Sequence, residues 1–388
     1  MTSNKNNIKI KKSQDQLKVA IVHDFLLYMG GAERVLHDIA NMFPNAPIYT
    51  LLYDKDRIGA QFSDRDIRTS FLQKWPKWLK KHYRWLMPFF GTAIEAFDLR
   101  DFDLVISSSG AWSKGIVTRL NTKHVAYIHS PMRYVWDENE RYLKKAVGKR
   151  NRFCIRLLLS YLRVWDHQAA QRPDALIANS VYTKKKIEKY YRREASVVYP
   201  AVSLKERSQT TPKSHPLKGL KEKSFLIISR LSKYKNVALA IEVCNKLQLP
   251  LTVVGDGRER SALESIAGET VEIVGYVSEE EKVQYLANAR ALLFPAEDDF
   301  GIVCVEAMQT GTPVIALGMG GARETVISGV TGELFEAPTI EMLADAMRRF
   351  LEKENTYDKN VIKAEGQKYT FDKFKRELSD VIEHNTKL

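Results

Sequence analysis

The 388-residue chain has no run of eighteen uninterrupted apolar residues, which excludes a conventional membrane-spanning helix. It has only three cysteines, Cys154, Cys244 and Cys304, far apart and in no metal-ligand spacing. Neither a disulfide framework nor a metal site is expected from them, and each thiol reads as a small buried hydrophobe. The first sixteen residues, MTSNKNNIKIKKSQDQ, lack the apolar core that a secretory signal needs and read as a disordered lead. Acid is scarce relative to base. Lys and Arg number 60 against 47 Asp and Glu, and the net charge of +13 permits nucleic acid, an anionic membrane or an anionic substrate as partner. No RNA- or DNA-binding motif accompanies that charge, so nucleic acid is not expected.

Short apolar runs alternate with helical patterns throughout, which predicts an α/β chain with parallel sheets. In the first half, runs at residues 18–23, 48–53, 102–107, 123–129, 174–180 and 195–200 read as strands. Residues 201–222 are polar, contain two prolines and show no period, and read as a linker. A second series of strands begins at residue 224. The domains expected are therefore a lead at 1–16, a first domain at 17–200, a linker at 201–222, a second domain at 223–370 and a final helix at 371–388.

The most informative stretch is residues 293–321, LFPAEDDFGIVCVEAMQTGTPVIALGMGG. Apolar residues at helical spacing follow Gly301, and Gly311 with Pro313 stops them. The first N–H groups of such a helix, after Phe300 and Gly301 and around Ile302 and Val303, are suited to an anion. Glu306, about one turn in, can accept two hydrogen bonds from a vicinal diol such as a ribose. Asp298 adds a carboxylate just outside the helix. Upstream, the loop RLSKYKN carries Arg230 and Lys235, and a guanidinium fork with a point charge suits a diphosphate. The string GGAERV places Gly30 and Gly31 at a helix start after the first strand. The string YIHSPMRYVWD delivers His129 at a strand's carboxyl end, where open α/β sheets place ligands. Asp101 and Asp103 spell D-x-D but precede a strand instead of ending one, so no metal is assigned to them.

The 293–321 stretch resembles the donor-site motif of retaining glycosyltransferases of the GT-B fold, family 4. That motif is an acidic residue, seven residues, then Glu, with Phe-Gly after the first. Here the first acid is Asp298 where the family usually carries Glu. The RLSKYKN, GGAERV and HSP strings are similar to the same family's loops, and the likeness spans about residues 17–385.

The resemblance implies two Rossmann-like, doubly wound domains facing across a cleft. It implies a metal-independent transfer of a sugar from a nucleotide diphosphate to an acceptor hydroxyl, with retention and without a cofactor. Catalysis is carried over to His129, Asp298, Arg230 and Lys235. The donor would be held by Gly30, Gly31, Arg230, Lys235, Gly275, Tyr276, Val277, Asp298, Phe300, Gly301, Ile302, Val303 and Glu306. Acceptor contacts fall on Arg133, Tyr134, Trp136 and Asp137. The final helix is expected to cross back onto the first domain. The string HSPMRYVWD resembles bacterial enzymes that build surface polysaccharide on a lipid carrier, which implies GDP-mannose as donor and a lipid-linked or oligosaccharide acceptor. A UDP-sugar, an epimerase of the same fold and a non-catalytic membrane-docked scaffold remain as alternatives.

Two basic stretches, residues 67–97 and 144–165, suit the anionic inner face of the cytoplasmic membrane. In the first, Trp75, Trp78, Tyr83, Trp85, Phe89 and Phe90 alternate with Lys and Arg. The same rings suit single-stranded nucleic acid or a helical pair whose aromatics fill the core.

Overall fold

The computed structural model describes residues 17–76, 78, 82–137, 149–204 and 224–386. The expected lead at 1–16, most of the expected linker and residues 144–148 of the second basic stretch lie outside them. The chain divides into two compact units. One comprises Met1–Ala178, Lys184–Val198 and Lys375–Leu388, and the other Asn179–Thr183 and Tyr199–Phe374.

The first unit is built on seven strands: β1 (Val19–Leu26), β2 (Ile48–Tyr53), β3 (Ile67–Thr69), β4 (Leu104–Ser109), β5 (Lys123–Ile128), β6 (Ala175–Ala178) and β7 (Ser196–Val197). They pair in the order β3-β2-β1-β4-β5-β6-β7, every pair parallel. The central strands carry apolar runs at residues 19–22, 104–106 and 125–128, as expected where helices cover both faces of a parallel sheet, and β1 and β4 turn polar toward their carboxyl ends at His23, Asp24 and Ser107–Ser109. Ile21, Val105 and Val125 are fully buried in consecutive strands. The strand β3 was not expected. It is a three-residue, largely exposed edge strand at the start of the 67–97 stretch, too short to carry a period-two pattern.

The second unit has six strands: β8 (Phe225–Ile228), β9 (Leu251–Val254), β10 (Val271–Gly275), β11 (Leu292–Phe294), β12 (Val314–Leu317) and β13 (Gly332–Phe335). Their order is β10-β9-β8-β11-β12-β13, again all parallel. In both units the order reverses in the middle of the sheet, at β1/β4 and at β8/β11. Open α/β sheets bind ligands outside the carboxyl ends of the strands at such a reversal. The expected linker begins later than its composition suggests. Val202 sits in the core of the second unit, and its N–H donates to the Tyr369 carbonyl at 2.8 Å.

The 67–97 aromatics divide. Phe90 is buried and Trp75 and Tyr83 pack against the same core, so the core-filling reading holds for these three. Trp78, Trp85 and Phe89 are exposed, Trp85 by 69%. The helix Lys149–Ala169 buries Leu159 and Leu162 but exposes Phe153, Leu157, Tyr161 and Val164. Cys154 is exposed on it too, unlike the buried Cys244 and Cys304, so the expectation of a buried thiol fails there. No helix among the described residues is long and apolar enough to cross a membrane.

One buried group makes the first unit sensitive to acid. The His124 ring is fully buried in β5, with Nε2 2.8 Å from the Ser107 hydroxyl and Nδ1 lacking a partner among the described residues. Burial, opposed by Asp174 and reinforced by Arg193 and Arg172, holds its pKa down to about 3. Below a pH of about 6.5 the unfolded chain binds a proton that the folded ring refuses. Stability is therefore expected to fall from about pH 6.5 toward pH 3, by at most ~1.4 kcal/mol per pH unit from this group. Urea unfolding at stepped pH checks this, and the slope should be shallower in His124→Gln.

Candidate active site

The second unit gathers charged side chains where its strand order reverses. Gly301 starts the helix Ile302–Thr310 in a left-handed conformation, φ +82°, which glycine adopts without cost. The Ile302 and Val303 N–H groups have no acceptor within the helix, whereas the Cys304 N–H donates to the Gly301 carbonyl at 3.0 Å. Phe300 is buried just before it and packs against Tyr199 and Tyr369.

The loop bearing Asp298 is held from behind by the GMGG string. The Gly321 N–H donates to the Asp298 carbonyl at 2.9 Å. A Cβ on Gly320 would lie 2.2 Å from that carbonyl, and one on Gly321 2.3 Å from the Phe300 Cα. Only glycine permits such an approach of backbone to backbone.

The carboxylate of Asp298 pairs with Lys235, and both are largely buried. Lys235 lies on the loop after β8, with its ammonium 5.1 Å from the Tyr234 ring centroid and 5.6 Å from that of Phe294. Its neighbour Asn236 donates to the Pro295 carbonyl at 2.9 Å and ties the cationic loop to the end of β11. Arg230, exposed on the same loop, is positioned from β9. Cβ atoms on Gly255 and Gly257 would stand 1.9 Å and 2.1 Å from the Ser229 and Leu231 carbonyls, so VVGDG lies directly against the segment holding Arg230.

Glu306 is 2% exposed on the helix Ile302–Thr310. Lys282, from the helix Glu279–Asn288, reaches it at 2.8 Å and also contacts Glu279 at 2.6 Å. Burial, with Asp298 and Glu306 adding to it and Lys235 opposing, pushes the Cys304 thiol well above its ordinary pKa. Asp298, Lys235 and Glu306 thus all act electrostatically on the one buried thiol. Gly275 ends β10 at φ +92°, followed by a strongly exposed Tyr276 and a half-buried Val277.

The first unit assembles polar groups at its own reversal. Gly30 caps the helix Gly31–Met42 with extended backbone, and a Cβ there would meet Glu33 Oε2 at 2.8 Å. The glycine makes room for that carboxylate. Asp24, within β1, accepts four backbone hydrogen bonds of 2.6–2.9 Å from Gly110, Ala111, Trp112 and Ser113 and fixes the loop after β4. His129 follows β5, half-buried, with Nε2 2.8 Å from the Ser108 hydroxyl.

Beyond it, Arg133 and Tyr134 are half-buried. Trp136 donates to Asp166 at 2.8 Å and stacks on Tyr190 at 4.8 Å. Asp137 pairs with Lys186 at 2.5 Å and accepts from the Tyr190 hydroxyl. Asp166 is itself fully buried, 2.5 Å from the equally buried Lys114. Asp103, of the D-x-D string, accepts from the Lys18 N–H at 3.0 Å. A depression of about 380 Å³ is lined by Glu95, Arg100 and Arg119, from the segments that precede β4 and β5.

Two sequence profiles cover this architecture. That described as Glycosyltransferase Family 4 matches residues 29–206, and that described as Glycosyl transferases group 1 matches residues 208–367. The chain belongs to the group 1, family 4 glycosyltransferases. It is an enzyme that transfers a glycosyl group, and its fold is GT-B. It is 23% identical over 372 residues to the alpha-1,3/1,6-mannosyltransferase ALG2 of Homo sapiens, covering 84% of this chain and 85% of that one. Sucrose-phosphate synthase from Thermosynechococcus elongatus superposes with a TM-score of 0.69 at 17% identity, covering 94% of this chain and 98% of that one. Anabaena Alr3699/HepE in complex with UDP-glucose superposes at 0.67 and 19% identity, covering 94% and 99%.

Sequence reasoning singled out Glu306, Asp298, Arg230 and Lys235 of this glycosyltransferase, and the structure brings Asp298, Lys235 and Glu306 together. It missed Lys282, whose only trace in sequence is its place one turn after Glu279. It also missed Asp24 and the glycines that seat the loops. Gly255, Gly257, Gly320 and Gly321 were legible as glycines after strands, but their partners were not.

Proposed function

We propose that the chain moves mannose from GDP-mannose, with retention, to a hydroxyl of a lipid-linked acceptor in surface polysaccharide synthesis. The observation that carries this reading is the pair of charge contacts beside one helix start, Lys235 with Asp298 and Lys282 with Glu306. Lys235, Arg230 and the N–H groups after Gly301 would bear the charge that develops on the departing diphosphate. Glu306 would accept from the ribose diol, with Lys282 holding its carboxylate in place. Asp298 would hold sugar hydroxyls.

In this scheme the anomeric C–O bond to the diphosphate breaks and a bond to the acceptor oxygen forms. The acceptor proton passes to the leaving phosphate. His129 serves the transferred sugar, and Arg133 and Tyr134 face the acceptor. No metal is required because cations of the chain neutralise the diphosphate. Mannose is supported by the name of the ALG2 relative. A UDP-sugar is the second reading, supported by the UDP-glucose complex among the structural neighbours.

Asp298→Glu is expected to keep transfer within about tenfold of wild type, since the family usually carries the longer acid and the difference is one methylene (~1 kcal/mol). A dead variant would show that the shorter side chain is required. The whole reading is tested by thermal shift with GDP-mannose, UDP-glucose and an ADP-sugar, followed by mass spectrometry of a lipid-diphosphate acceptor. Stabilisation by GDP-mannose and a hexose added to the acceptor are expected. A UDP-sugar preference replaces the donor, and free sugar without a glycosylated product favours an epimerase.

Docking on the anionic inner face of the cytoplasmic membrane is supported by Phe153, Leu157, Tyr161 and Val164. They lie three and four residues apart on one exposed helix face, with Arg152 and Arg156 exposed beside them. Sedimentation with phosphatidylglycerol vesicles, but not with neutral ones, is the expected result.

A further inference from the structure

The first unit contains a line of four polar side chains that the transfer chemistry above does not use as a whole. Glu33, near the start of the helix Gly31–Met42, places Oε1 3.7 Å from His23 Nε2. His23 Nδ1 lies 3.0 Å from the Ser108 carbonyl oxygen and 3.1 Å from the Ser108 hydroxyl. That hydroxyl is 2.8 Å from His129 Nε2. The three central strands fix the arrangement. His23 in β1 pairs in register with Ser108 in β4, and the His129 N–H donates to the Ser109 carbonyl at 2.8 Å. His23, Glu33 and Ser108 are all buried, Ser108 completely.

The protons in this line can be assigned from what each atom is able to do. A backbone carbonyl only accepts, so an imidazole nitrogen 3.0 Å from it must carry the hydrogen. His23 therefore carries a hydrogen at Nδ1 that points toward both oxygens of Ser108, and the approach of Nε2 to the Glu33 carboxyl requires one further hydrogen between those two groups. The Ser108 hydroxyl cannot then donate to His23. The side-chain atoms within hydrogen-bond reach of that hydroxyl are His23 Nδ1 and His129 Nε2. Were His129 also protonated at Nε2, the Ser108 hydrogen would be buried without an acceptor, which costs about 1–3 kcal/mol. The hydroxyl donates to His129 Nε2, and the proton of a neutral His129 sits on Nδ1. The alternative, an unprotonated His23 Nδ1, sets two lone pairs against each other at 3.0 Å.

We infer that Glu33, His23 and Ser108 form a positioning relay that holds His129 in its Nδ1–H tautomer and fixes its ring. Gly30 belongs to the device, because a side chain there would displace the Glu33 carboxylate. The helix start carrying GGAERV is thereby coupled to the histidine two strands away. The consequence for catalysis rests on the reading that His129 serves the transferred sugar. An Nδ1–H imidazole donates from that nitrogen, whereas the other tautomer leaves a bare lone pair there. The three upstream residues orient a working group and do not touch substrate.

The tautomer is measured without any substrate, by long-range ¹H–¹⁵N correlation on the full chain labelled at histidine. The His129 signals are identified by their loss in His129→Gln. The expected result is an unprotonated Nε2 and a protonated Nδ1 in wild type. In Ser108→Ala the balance should move toward the Nε2–H form, with restoration in Ser108→Thr. An Nε2–H signature in the wild-type protein overturns the inference whatever the variants do. So does a folded Ser108→Ala protein whose His129 signals are unchanged.

In transfer assays Ser108→Ala should lower kcat by roughly 10- to 100-fold, the size common for groups that orient a working side chain, with little change in the donor KM. His23→Asn, which keeps an N–H near the Nδ1 position, should lose less than His23→Phe. Equal losses in those two variants would contradict the donor role of His23. Failure of the tautomer measurement leaves the transferase reading intact, and failure of the transfer assay leaves the tautomer assignment intact.

Discussion

Lys235→Ala is expected to lower transfer by about 10²- to 10³-fold, the range found when one preorganised donor to a developing negative charge is removed. Lys235 is paired with Asp298, so the ammonium is held where the diphosphate is proposed to arrive. Tyr234 and Phe294 flank it and limit where it can swing. The melting temperature should fall only modestly. The Asp298 carboxylate, 17% exposed, can take up water in place of the ammonium, so the cost should stay below the about 3–5 kcal/mol typical of a fully buried charge left alone. The loss should therefore appear in kcat and in nucleotide affinity more than in unfolding. Lys235→Arg should recover part of the affinity but less of the rate, because a planar fork cannot replace a compact point charge between two rings. Wild-type turnover in a well-folded Lys235→Ala protein would remove this residue from the mechanism.

Glu306→Ala should do something different. This carboxylate is nearly inaccessible and shares Lys282 with Glu279. Its removal leaves Lys282 buried with one carboxylate instead of two. A stability loss of about 1–3 kcal/mol is expected, below the 3–5 kcal/mol typical of a buried charge left alone, because Glu279 remains. Affinity for a nucleoside diphosphate should fall by roughly 10- to 100-fold if the carboxylate accepts the ribose diol, since hydrogen bonds to charged groups are worth about 1.5–3 kcal/mol each. Urea unfolding and calorimetric titration with GDP and UDP separate the two effects. Removing Lys282 as well should restore part of the stability and none of the affinity. Unchanged binding of both nucleotides would assign Glu306 to the fold alone.

These two residues mark the boundary between what was legible and what was not. Glu306 stands eight residues after an acid, within a helix that a glycine starts and a Gly-Thr-Pro sequence stops, so its position on that helix could be read from spacing. Its partner Lys282 lies 24 residues upstream in another helix, and no local pattern connects them. The same holds for Asp24, whose carboxylate is met by four N–H groups nearly ninety residues later. The aromatic stretch shows the limit in another way. A run of alternating rings and cations does not say which rings face inward, and the fold buries Phe90 beside an exposed Phe89.

Periodicity and chain order by themselves determined an α/β chain with two parallel sheets and the helix after Gly301. Those features depend on neighbours within a few turns, where backbone geometry alone relates one side chain to the next. Tertiary structure alone decided the ion-pair partners, the glycines against which loops close and the line from Glu33 to His129. Each of these joins residues that the sheet order makes adjacent, and adjacency across strands and helices is a property of packing that no local spacing encodes.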